Sequence, residues 1–543
     1  MSRILVIGGY GGFGARMTRR LISAGHDVLV AGRSADKAAA FCASLDRAEP
    51  VVADRNHAIG LVMARHRPDL VIDAAGPFQA SGTMVIDACI AMRIPYLDLA
   101  DARDFVTGIA RFDAEARAAG VAIVSGSSSV PALSGAVARH LARDMDRVAQ
   151  VDIAISASNR AAVGPSVARA ILSYVGRPVR LWRGRREAEG YGWQELRHER
   201  FVIAGQQPLA RWIALADVPD HEVLPPQLPG RPAVTFRAGT ELGFQMIALW
   251  LLSWPVRWGW VKSLSGLAGL LLPVQRLTRG AGSDRSAMSV TLRGTARGTG
   301  IERRWTLIAS DDDGPEIPTL AAALLAEEAL AGHLPPGARD GSTLLSIDRF
   351  EPLFAALSIV HATNERALTP LYARAMGDRF DRLPAAVRAM HDLYGDGGAA
   401  GEGTIERGSN PIARLAGWLI RFPPSGTYPL HVGFAERDGA ETWTRRFGPH
   451  RFHSMLSQRG ECVVEGFSPL RFAFALPSDD QGLAMVLAGW SAFGVPLPRF
   501  LAPRIEAREW QDEAGRFRFL VAIRAPLIGA IVRYSGWLVP VSP

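Results

Sequence analysis

A cluster of glycines directly behind the first apolar run limits what this chain can fold into. The run Ile4-Leu5-Val6-Ile7 is typical of a buried strand, and the glycines that follow it are Gly8, Gly9, Gly11, Gly12 and Gly14. Such glycines allow a tight turn, a close approach of the backbone to an anion, and close packing of the next helix on its strand. The start of that helix offers N–H groups to the anion. The pattern therefore predicts the phosphate-binding turn of a dinucleotide site.

The rest of residues 1–135 alternates apolar runs with helical patterns, which predicts a parallel sheet covered by helices. Phe13, Met17, Leu21 and Ala24 form one apolar helix face after the turn, and a similar face further on includes Cys89. The predicted strands are 4–7, 28–31, 50–53, 70–72, 96–99 and 121–124. We therefore predict an N-terminal Rossmann domain, with a doubly wound parallel sheet, over residues 1–135.

The residues after the second predicted strand discriminate between the two nicotinamide dinucleotides. A site for NAD carries Asp or Glu there, whereas this chain has Gly32-Arg33-Ser34 followed by Lys37. Arg33 can bind a 2′-phosphate through two hydrogen bonds, and Ser34 and Lys37 add donors. We therefore predict NADP(H) as the cofactor. Asp54, after the third strand, suits either a contact to the adenine amino group or a helix cap.

Lysine is nearly absent from the sequence. Only Lys37 and Lys262 among the 61 Lys+Arg residues are lysines. Schiff-base enzymes and reductases of the Tyr-x-x-x-Lys type need a lysine, and neither position has a tyrosine four residues before it. The net charge of +8 is modest for 543 residues, and the densest basic run, 180–186, has no nucleic-acid-binding motif around it. These features argue against both enzyme classes and against a nucleic-acid partner.

The cysteines and the N-terminus exclude other classes. Cys42, Cys89 and Cys462 lie far apart, which disfavours a disulfide framework and a metal site. A strand and a glycine turn stand where a signal peptide would have a longer apolar stretch and a cleavage site. We therefore expect a cytoplasmic protein that holds no metal.

Residues 136–360 mix helical and strand patterns between many Gly and Pro breaks, which predicts a second domain of α/β (α+β) type. Its unusual part is the apolar segment 242–275, whose uncharged stretches fall short of the ~20 residues that span a bilayer. The break between the two stretches is flanked by Trp250, Trp254, Trp258 and Trp260. Such tryptophans are typical of a helix lying in a membrane interface, and they equally suit a homodimer interface or a lid over an apolar pocket.

Residues 361–543 predict a separate, β-rich domain. A helical stretch, 383–393, is followed by a Gly-rich run, 395–403, that we interpret as a linker. Alternating apolar residues then predict strands, and Arg437-Asp438-Gly439 predicts a hairpin turn. His450 and His453 are spaced to share one face of a helix.

Four segments together resemble the NADP-binding domain of the saccharopine-dehydrogenase-like oxidoreductases. They are GGYGGFG at the first turn, GRSADK after the second strand, DAAGPFQASGTMVIDACIAMRIPYLDLAD (73–101) and SGSSSVPALSG (125–135). The resemblance is strong over 1–135 and weaker to about 345. It implies a second domain for substrate binding or dimerisation, helices such as 320–330 that return to the nucleotide domain, and a Gly-Pro-Phe turn, 76–78, beside the nicotinamide ribose. The predicted cofactor-binding residues are therefore Gly8, Gly9, Gly11, Gly12, Phe13, Gly14, Arg33, Ser34, Lys37, Asp54, Ala75, Gly76 and Pro77.

The resemblance does not carry the family's reaction with it. Saccharopine reductases are expected to use a Lys/His pair near the substrate, and this chain has no lysine between 38 and 261. A fold name is not a reaction, so saccharopine chemistry is not expected. Residues 365–541 resemble an uncharacterised domain that is fused behind such reductases in bacteria, which implies architecture and no chemistry.

Two functions follow from these patterns. The first is an NADP(H)-dependent oxidoreductase acting on a bulky, lipid-like apolar substrate, and the alternative is an NADP(H)-binding regulatory or membrane-associated protein without turnover. Candidate proton donors at the carboxyl ends of strands are Tyr96, Asp98, Asp101 and Ser127–Ser129. The two acids equally suit helix caps, and the serines equally suit contacts to the nicotinamide amide. No catalytic residue is assigned on this basis.

Overall fold

Three large sheets organise the chain in a computed structural model, which describes residues 2–160, 165–267, 269, 277–419, 422–526 and 528–542. The first sheet has seven parallel strands in the order β15-β6-β5-β4-β1-β2-β3. Its strands are β1 (Arg3–Ile7), β2 (Asp27–Gly32), β3 (Ala48–Val52), β4 (Leu70–Asp73), β5 (Tyr96–Asp98), β6 (Ala122–Ser125) and β15 (Gly337–Asp340). All six predicted strands are present, so the predicted Rossmann fold is confirmed.

Side chains on alternate positions of these strands enter two different cores, one on each face of the first sheet. Ile4 and Val6 pack in one core with Met17, whereas Leu5 packs in the other with Cys89. The predicted core position of Cys89 is thus confirmed. The helices of this domain are Gly12–Ser23, Ala35–Cys42, Ile59–His66, Met84–Met92, Arg103–Thr107, Asp113–Ala119 and Ser134–Leu141.

The chain returns to the first sheet after the second domain. The helix Ile317–Leu330 packs on the helix Gly12–Ser23, and Glu316 forms ion pairs with Arg16 at 2.6 Å and Arg20 at 2.8 Å. The resemblance implied this return of a helix. Strand β15 then adds to the sheet beside β6, so two elements inside the range 136–360 belong structurally to the nucleotide domain.

The second sheet is mixed and has the order β10-β11-β12-β7-β13-β14-β16. Its strands are β7 (Arg147–Ala157), β10 (Arg197–Phe201), β11 (Leu209–Leu215), β12 (Ala233–Thr240), β13 (Ser286–Ala296), β14 (Thr299–Ala309) and β16 (Ile359–Ala367). A hairpin of β8 (Pro178–Arg183) and β9 (Arg186–Tyr191) lies outside it, and the helices here are Pro165–Tyr174, Asp220–Val223, Gly243–Arg257 and Glu351–Ala355. The predicted mixed second domain is confirmed.

The third sheet closes on itself into an antiparallel barrel, because β22 pairs with β24 as well as with β21. Its strands are β17 (Asp396–Arg407), β18 (Gly426–Arg437), β19 (Ala440–Phe447), β20 (His450–Arg459), β21 (Cys462–Phe467), β22 (Leu470–Ala475), β23 (Ser478–Asp479), β24 (Gly482–Ala492), β25 (Val495–Pro496), β26 (Arg504–Gln511), β27 (Phe517–Ala525) and β28 (Gly529–Pro540). The helices here are Leu371–Met376, Ala385–His391 and Pro411–Leu419. The β-rich prediction and the hairpin turn at Asp438 and Gly439 are confirmed.

Two predictions for this domain are wrong. The Gly-rich run 395–403 is no linker but most of β17, which pairs with β18 on one side and β28 on the other. Its glycines permit close contacts: a Cβ on Gly401 would lie 2.0 Å from the Trp537 carbonyl oxygen. His450 and His453 lie on strand β20 and not on a helix, and residues three apart on a strand point to opposite faces.

The barrel packs directly against the second domain. A Cβ on Gly398 would lie 2.2 Å from the carbonyl oxygen of Gly184, which is the turn residue between β8 and β9. The Asp396 carboxylate accepts hydrogen bonds from the N–H groups of Gly184 at 2.6 Å and Arg185 at 3.3 Å. His431 Nε2 lies 2.8 Å from the Gly184 carbonyl oxygen. The bare backbone of these glycines therefore allows the two domains to touch.

None of the helices in the described part of the chain is both long enough and apolar enough to cross a membrane.

Candidate functional site

The glycine turn between β1 and the first helix leaves no room for side chains. Gly8 adopts φ +78°, which favours glycine, and a Cβ on Gly14 would lie 2.1 Å from the Gly8 carbonyl oxygen. A Cβ on Gly9 would lie 2.9 Å from the Val6 carbonyl oxygen. A Cβ on Gly12 would meet no atom within 4 Å, so the start of the helix is open on that side. The residues present therefore fit a pyrophosphate group at the helix N-terminus.

Two exposed cations lie beyond the end of β2, next to this turn. Ser34 caps the helix Ala35–Cys42 by accepting from the Lys37 N–H at 3.3 Å, and its own N–H donates to the Tyr10 hydroxyl at 3.1 Å. Arg33 and Lys37 are exposed, and neither side chain forms a hydrogen bond or an ion pair with another described residue. Both charges are therefore free to bind an anion such as a 2′-phosphate.

Asp54 lies beyond the end of β3 and folds back on its own loop. Its Oδ1 accepts from the Asn56 N–H at 3.0 Å. The next helix, Ile59–His66, is capped by Ala58, so Asp54 does not serve as its N-cap. The contact to an adenine amino group stays a prediction.

A buried arginine, which the sequence analysis missed, holds the loop that contains Ala75, Gly76 and Pro77. Arg55 donates through Nη1 to the Ala75 carbonyl oxygen and to the Ser81 hydroxyl, both at 2.8 Å. Its guanidinium also lies 4.8 Å from the centre of the Phe78 ring. Arg55 therefore joins both ends of the Gly-Pro-Phe turn. No motif marks it, because it lies about 20 residues before the loop that it holds.

Asp73 at the end of β4 is the counter-charge of Arg55. Its Oδ2 lies 2.8 Å from Arg55 Nη2, and its Oδ1 accepts from the Ala75 N–H at 2.9 Å. Asp73 is fully buried, and burial raises its pKa to about 6 although Arg55 opposes this shift. Through these contacts the end of β4 fixes the backbone that the resemblance places beside the nicotinamide ribose.

Most of the candidate proton donors at the strand ends are buried. Tyr96 and Asp98 are fully buried, and Asp98 Oδ1 accepts from the N–H groups of Ala100 at 3.0 Å and Gly126 at 2.7 Å. Burial raises the pKa of Asp98 against these hydrogen bonds. Ser127–Ser129 are also buried, whereas Asp101 is exposed. Asp98 therefore pins the loops after β5 and β6.

Tyr174 is the further candidate that the structure adds. It ends the helix Pro165–Tyr174 of the second domain, and its hydroxyl accepts from Gln79 Nε2 at 2.9 Å. Gln79 directly follows the Gly-Pro-Phe turn, so this tyrosine contacts the residue next to the turn that the resemblance places beside the nicotinamide ribose. Burial, and then the charge of Asp101, raise the pKa of Tyr174, which keeps the hydroxyl protonated. No local pattern links positions 79 and 174, so only the fold reveals this contact.

The apolar segment forms a helix, Gly243–Arg257, with one buried and one exposed apolar face. Met246 and Leu249 are buried against the helix that carries Tyr174. The exposed face carries Phe244, Ile247 and Leu251, and it continues into Trp258 and Trp260, which are 56% and 74% exposed. Positions 268 and 270–275 of the predicted segment lie outside the described residues.

The fold and the glycine turn define a Rossmann-type dinucleotide-binding domain of an oxidoreductase fold. Residues 4–124 match the family model described as "Saccharopine dehydrogenase NADP binding domain". Residues 383–538 match a second model, "Domain of unknown function (DUF4166)". The chain therefore joins a saccharopine-dehydrogenase-type NADP-binding domain, whose cofactor is a nicotinamide dinucleotide, to a separate C-terminal domain, and both predicted resemblances are confirmed.

Solved structures share parts of this fold at low similarity. Saccharopine dehydrogenase (L-Glu forming) from Saccharomyces cerevisiae is 13% identical, with a TM-score of 0.47, over 67% of this chain and 100% of that one. Amine dehydrogenase from Mycobacterium smegmatis is 13% identical, with a TM-score of 0.36, over 64% and 95%. Gre2 from Candida albicans, in complex with NADPH, is 15% identical, with a TM-score of 0.17, over 18% and 36%. No curated protein matches the sequence. Similarities of this size say nothing about activity.

Proposed function

We propose that the protein is an NADP(H)-dependent oxidoreductase that acts on a lipid-like, apolar substrate other than saccharopine. One observation carries the choice of cofactor: the two unpaired cations, Arg33 and Lys37, at the end of β2. An acidic side chain at this position would repel a 2′-phosphate, whereas two cations attract it. The glycine turn supports a dinucleotide cofactor of either kind, because it leaves the helix N-terminus open to the pyrophosphate.

The cofactor supplies a hydride, and the chain's own residues bind and orient the reactants. The turn at Gly8–Gly14 binds the pyrophosphate, and Arg55 holds the loop 75–81 against the end of β4. Tyr174 exchanges a proton with the substrate through its hydroxyl oxygen. The Gln79 side chain donates to that oxygen and stabilises the phenolate that remains when the proton has left.

The apolar residues behind Tyr174 support an apolar substrate. Its helix packs on Met246 and Leu249 of the helix Gly243–Arg257, so this side of the proposed proton donor is hydrophobic. The range 38–261 contains no lysine for the Lys/His pair expected of saccharopine reductases, which supports a reaction other than that on saccharopine.

The test for the cofactor compares NADPH and NADH binding to the wild type and to Arg33→Ala. Loss of one charge-assisted contact, worth about 1.5–3 kcal/mol, is expected to weaken NADPH binding roughly tenfold to a hundredfold and to leave NADH binding unchanged. Arg65→Ala removes an exposed arginine from the same domain and is the control. An unchanged ratio of the two dissociation constants in Arg33→Ala would contradict the assignment.

The test for the reaction follows NADPH oxidation with a lipid extract and identifies the changed lipid by mass spectrometry. Tyr174→Phe is expected to lower kcat by about 10²-fold or more and to leave the NADPH dissociation constant unchanged, because general acid catalysis contributes ~10²–10⁴-fold. Tyr191→Phe, which removes the exposed hydroxyl of another tyrosine in the second domain, is the control. Tight NADPH binding without turnover of any extract would favour the regulatory alternative.

We also propose that the exposed apolar face meets a membrane surface. Phe244, Ile247 and Leu251 lie on one side of the helix, Trp258 and Trp260 continue that side, and Arg257 and Lys262 supply charge for anionic headgroups. Trp258→Glu together with Trp260→Glu is expected to abolish sedimentation with anionic liposomes. Trp182→Glu, at an exposed tryptophan of the same domain, is the control. If the wild type stays in the supernatant and is dimeric in solution, the face is a homodimer interface.

A further inference from the structure

The closed barrel of the C-terminal domain contains a cavity of about 150 Å³. Its wall is mainly apolar and aromatic. The side chains that form most of it include Leu430, Phe447, Phe472, Phe474, Met485 and Phe517. An apolar cavity of this volume is large enough to hold a benzene-sized molecule.

The two ends of the barrel differ. One end is closed by the helices Leu371–Met376 and Ala385–His391, where the buried rings of Tyr372 and His391 stack at 3.7 Å. At the other end the lining side chains Ile505 and Ile523 are only partly buried. The rim of that end carries Phe493, which is 85% exposed. Phe422, which is buried and lines the cavity, contacts Tyr534 near the same end, so the cavity has an apolar mouth that is partly covered.

Charged groups line the inner wall of this cavity. Arg445 donates to Ser454 Oγ at 2.8 Å and to Glu465 Oε1 at 3.2 Å, so its charge is already paired. Glu509 lines the cavity too, and its Oε2 lies 2.6 Å from His391 Nε2. The lining therefore carries two carboxylates and one guanidinium. An anionic ligand would meet a guanidinium that Glu465 already pairs and a second acid, Glu509, whose hydrogen-bond partner is His391.

Two tyrosine hydroxyls in the same wall have no partner. Tyr534 and Tyr372 line the cavity and are 7% and 1% exposed. Neither hydroxyl forms a hydrogen bond with another residue of the described chain. Arg445, Glu465 and Glu509 line the same cavity as Tyr534. Both hydroxyls can therefore form a hydrogen bond with a molecule in the cavity.

We propose that the barrel cavity is a binding site for a small, mainly apolar molecule that carries a hydroxyl or amine group. The aromatic wall contacts the apolar part of the molecule, and its hydroxyl or amine group donates a hydrogen bond to Glu465 or Glu509. A hydroxyl group also accepts a hydrogen bond from Tyr534. The site lies in a different domain from the nucleotide turn, so it is independent of the function proposed above.

The test measures binding of four probes that share one ring and differ in the head group: toluene, benzyl alcohol, benzylamine and benzoate. Calorimetry on the full chain, without nucleotide, is expected to show that benzyl alcohol or benzylamine binds at least fivefold more tightly than toluene, and benzoate most weakly. Tightest binding of benzoate, or no binding of any probe at millimolar concentration, would overturn the proposal.

Two variants localise the binding. Met485→Trp fills the cavity from strand β24 and is expected to abolish binding, whereas Val486→Trp, at the adjacent exposed position, is expected to bind as the wild type does. Tyr534→Phe removes one hydroxyl without a change of volume. This variant is expected to bind benzyl alcohol about threefold to tenfold more weakly than the wild type does, and to bind toluene equally well. Binding that persists in Met485→Trp, or equal losses for both probes in Tyr534→Phe, would place the ligand elsewhere.

Discussion

Asp220 is a buried carboxyl whose ionisation the fold disfavours. It begins the helix Asp220–Val223 and is fully buried, and its Oδ1 accepts a hydrogen bond from the Ser134 hydroxyl. Its Oδ2 has no hydrogen-bond partner among the described residues. Burial raises its pKa to about 7, and the charge of Asp340 adds to the shift, whereas Ser134 opposes it. The folded protein therefore holds this proton more tightly than the unfolded chain does.

The sign of the pH dependence follows from this difference. A carboxyl whose folded pKa is raised stabilises the fold below its unfolded pKa, near 3.9, and that contribution is lost as the pH rises to about 7. From the linkage relation, the stability that Asp220 loses relative to low pH is about 1.5 kcal/mol at pH 5 and about 4 kcal/mol at pH 8. Between these two values Asp220 alone makes the protein less stable by about 2.5 kcal/mol.

Asp220→Asn tests this value. The amide keeps the acceptor for Ser134 and carries no charge at either pH. The free energy of unfolding of the variant, relative to that of the wild type, is therefore expected to rise by about 2.5 kcal/mol between pH 5 and pH 8. Urea unfolding at both values measures the difference, and Asp46→Asn, at an exposed acid, is the control. A gain below about 0.5 kcal/mol would mean that Asp220 is already ionised at pH 5, and the reasoning from burial would be wrong.

Three other substitutions test contacts at the cofactor turn and the domain junction. Gly14→Ala is expected to destabilise the fold by about 2–4 kcal/mol and to weaken NADPH binding more than tenfold, because its Cβ would lie 2.1 Å from the Gly8 carbonyl oxygen. Gly108→Ala, in open space in the same domain and outside the predicted cofactor site, is the control in the same thermal melts and titrations. Arg55→Met leaves Asp73 without its counter-charge, so the free energy of unfolding is expected to fall by about 3–5 kcal/mol at pH 8. The fall is expected to be smaller at pH 5, where that acid is neutral, and equal losses at both pH values would contradict the ion pair. Gly398→Val is expected to separate the barrel from Gly184 and to speed proteolysis between the domains, whereas Gly489→Val, with open space around it, leaves the cleavage rate unchanged.

The nucleotide domain was predictable because its signals are local. Buried strands of a parallel sheet read as continuous apolar runs, and the glycine turn has fixed spacing. Arg33 and Lys37 were found for the same reason, since they lie at a set distance after a strand. Arg55 and Tyr174 were missed, because each acts on a loop that is distant in sequence.

The two errors in the C-terminal domain have different physical causes. Glycine in a loop and glycine at a close backbone contact look alike in a sequence, so the run 395–403 was interpreted as a linker. Residues three apart, such as His450 and His453, share a face only if the segment is helical. Here Phe452 and Ser454 are buried and His453 between them is exposed, which is the alternation of a strand. The barrel cavity depends on ten strands closing, which no local pattern records.

The late edge strand of the first sheet has a consequence for synthesis. Strand β15 pairs with β6 but follows it by roughly two hundred residues, which a ribosome adds at ~5–20 residues per second. For about 10–40 seconds the emerging nucleotide domain therefore exposes the edge of β6, and an exposed edge is a template for wrong pairing. All strands of the second domain except β16 must emerge before this edge is covered. A chaperone that binds extended apolar segments would have its longest opportunity during that interval.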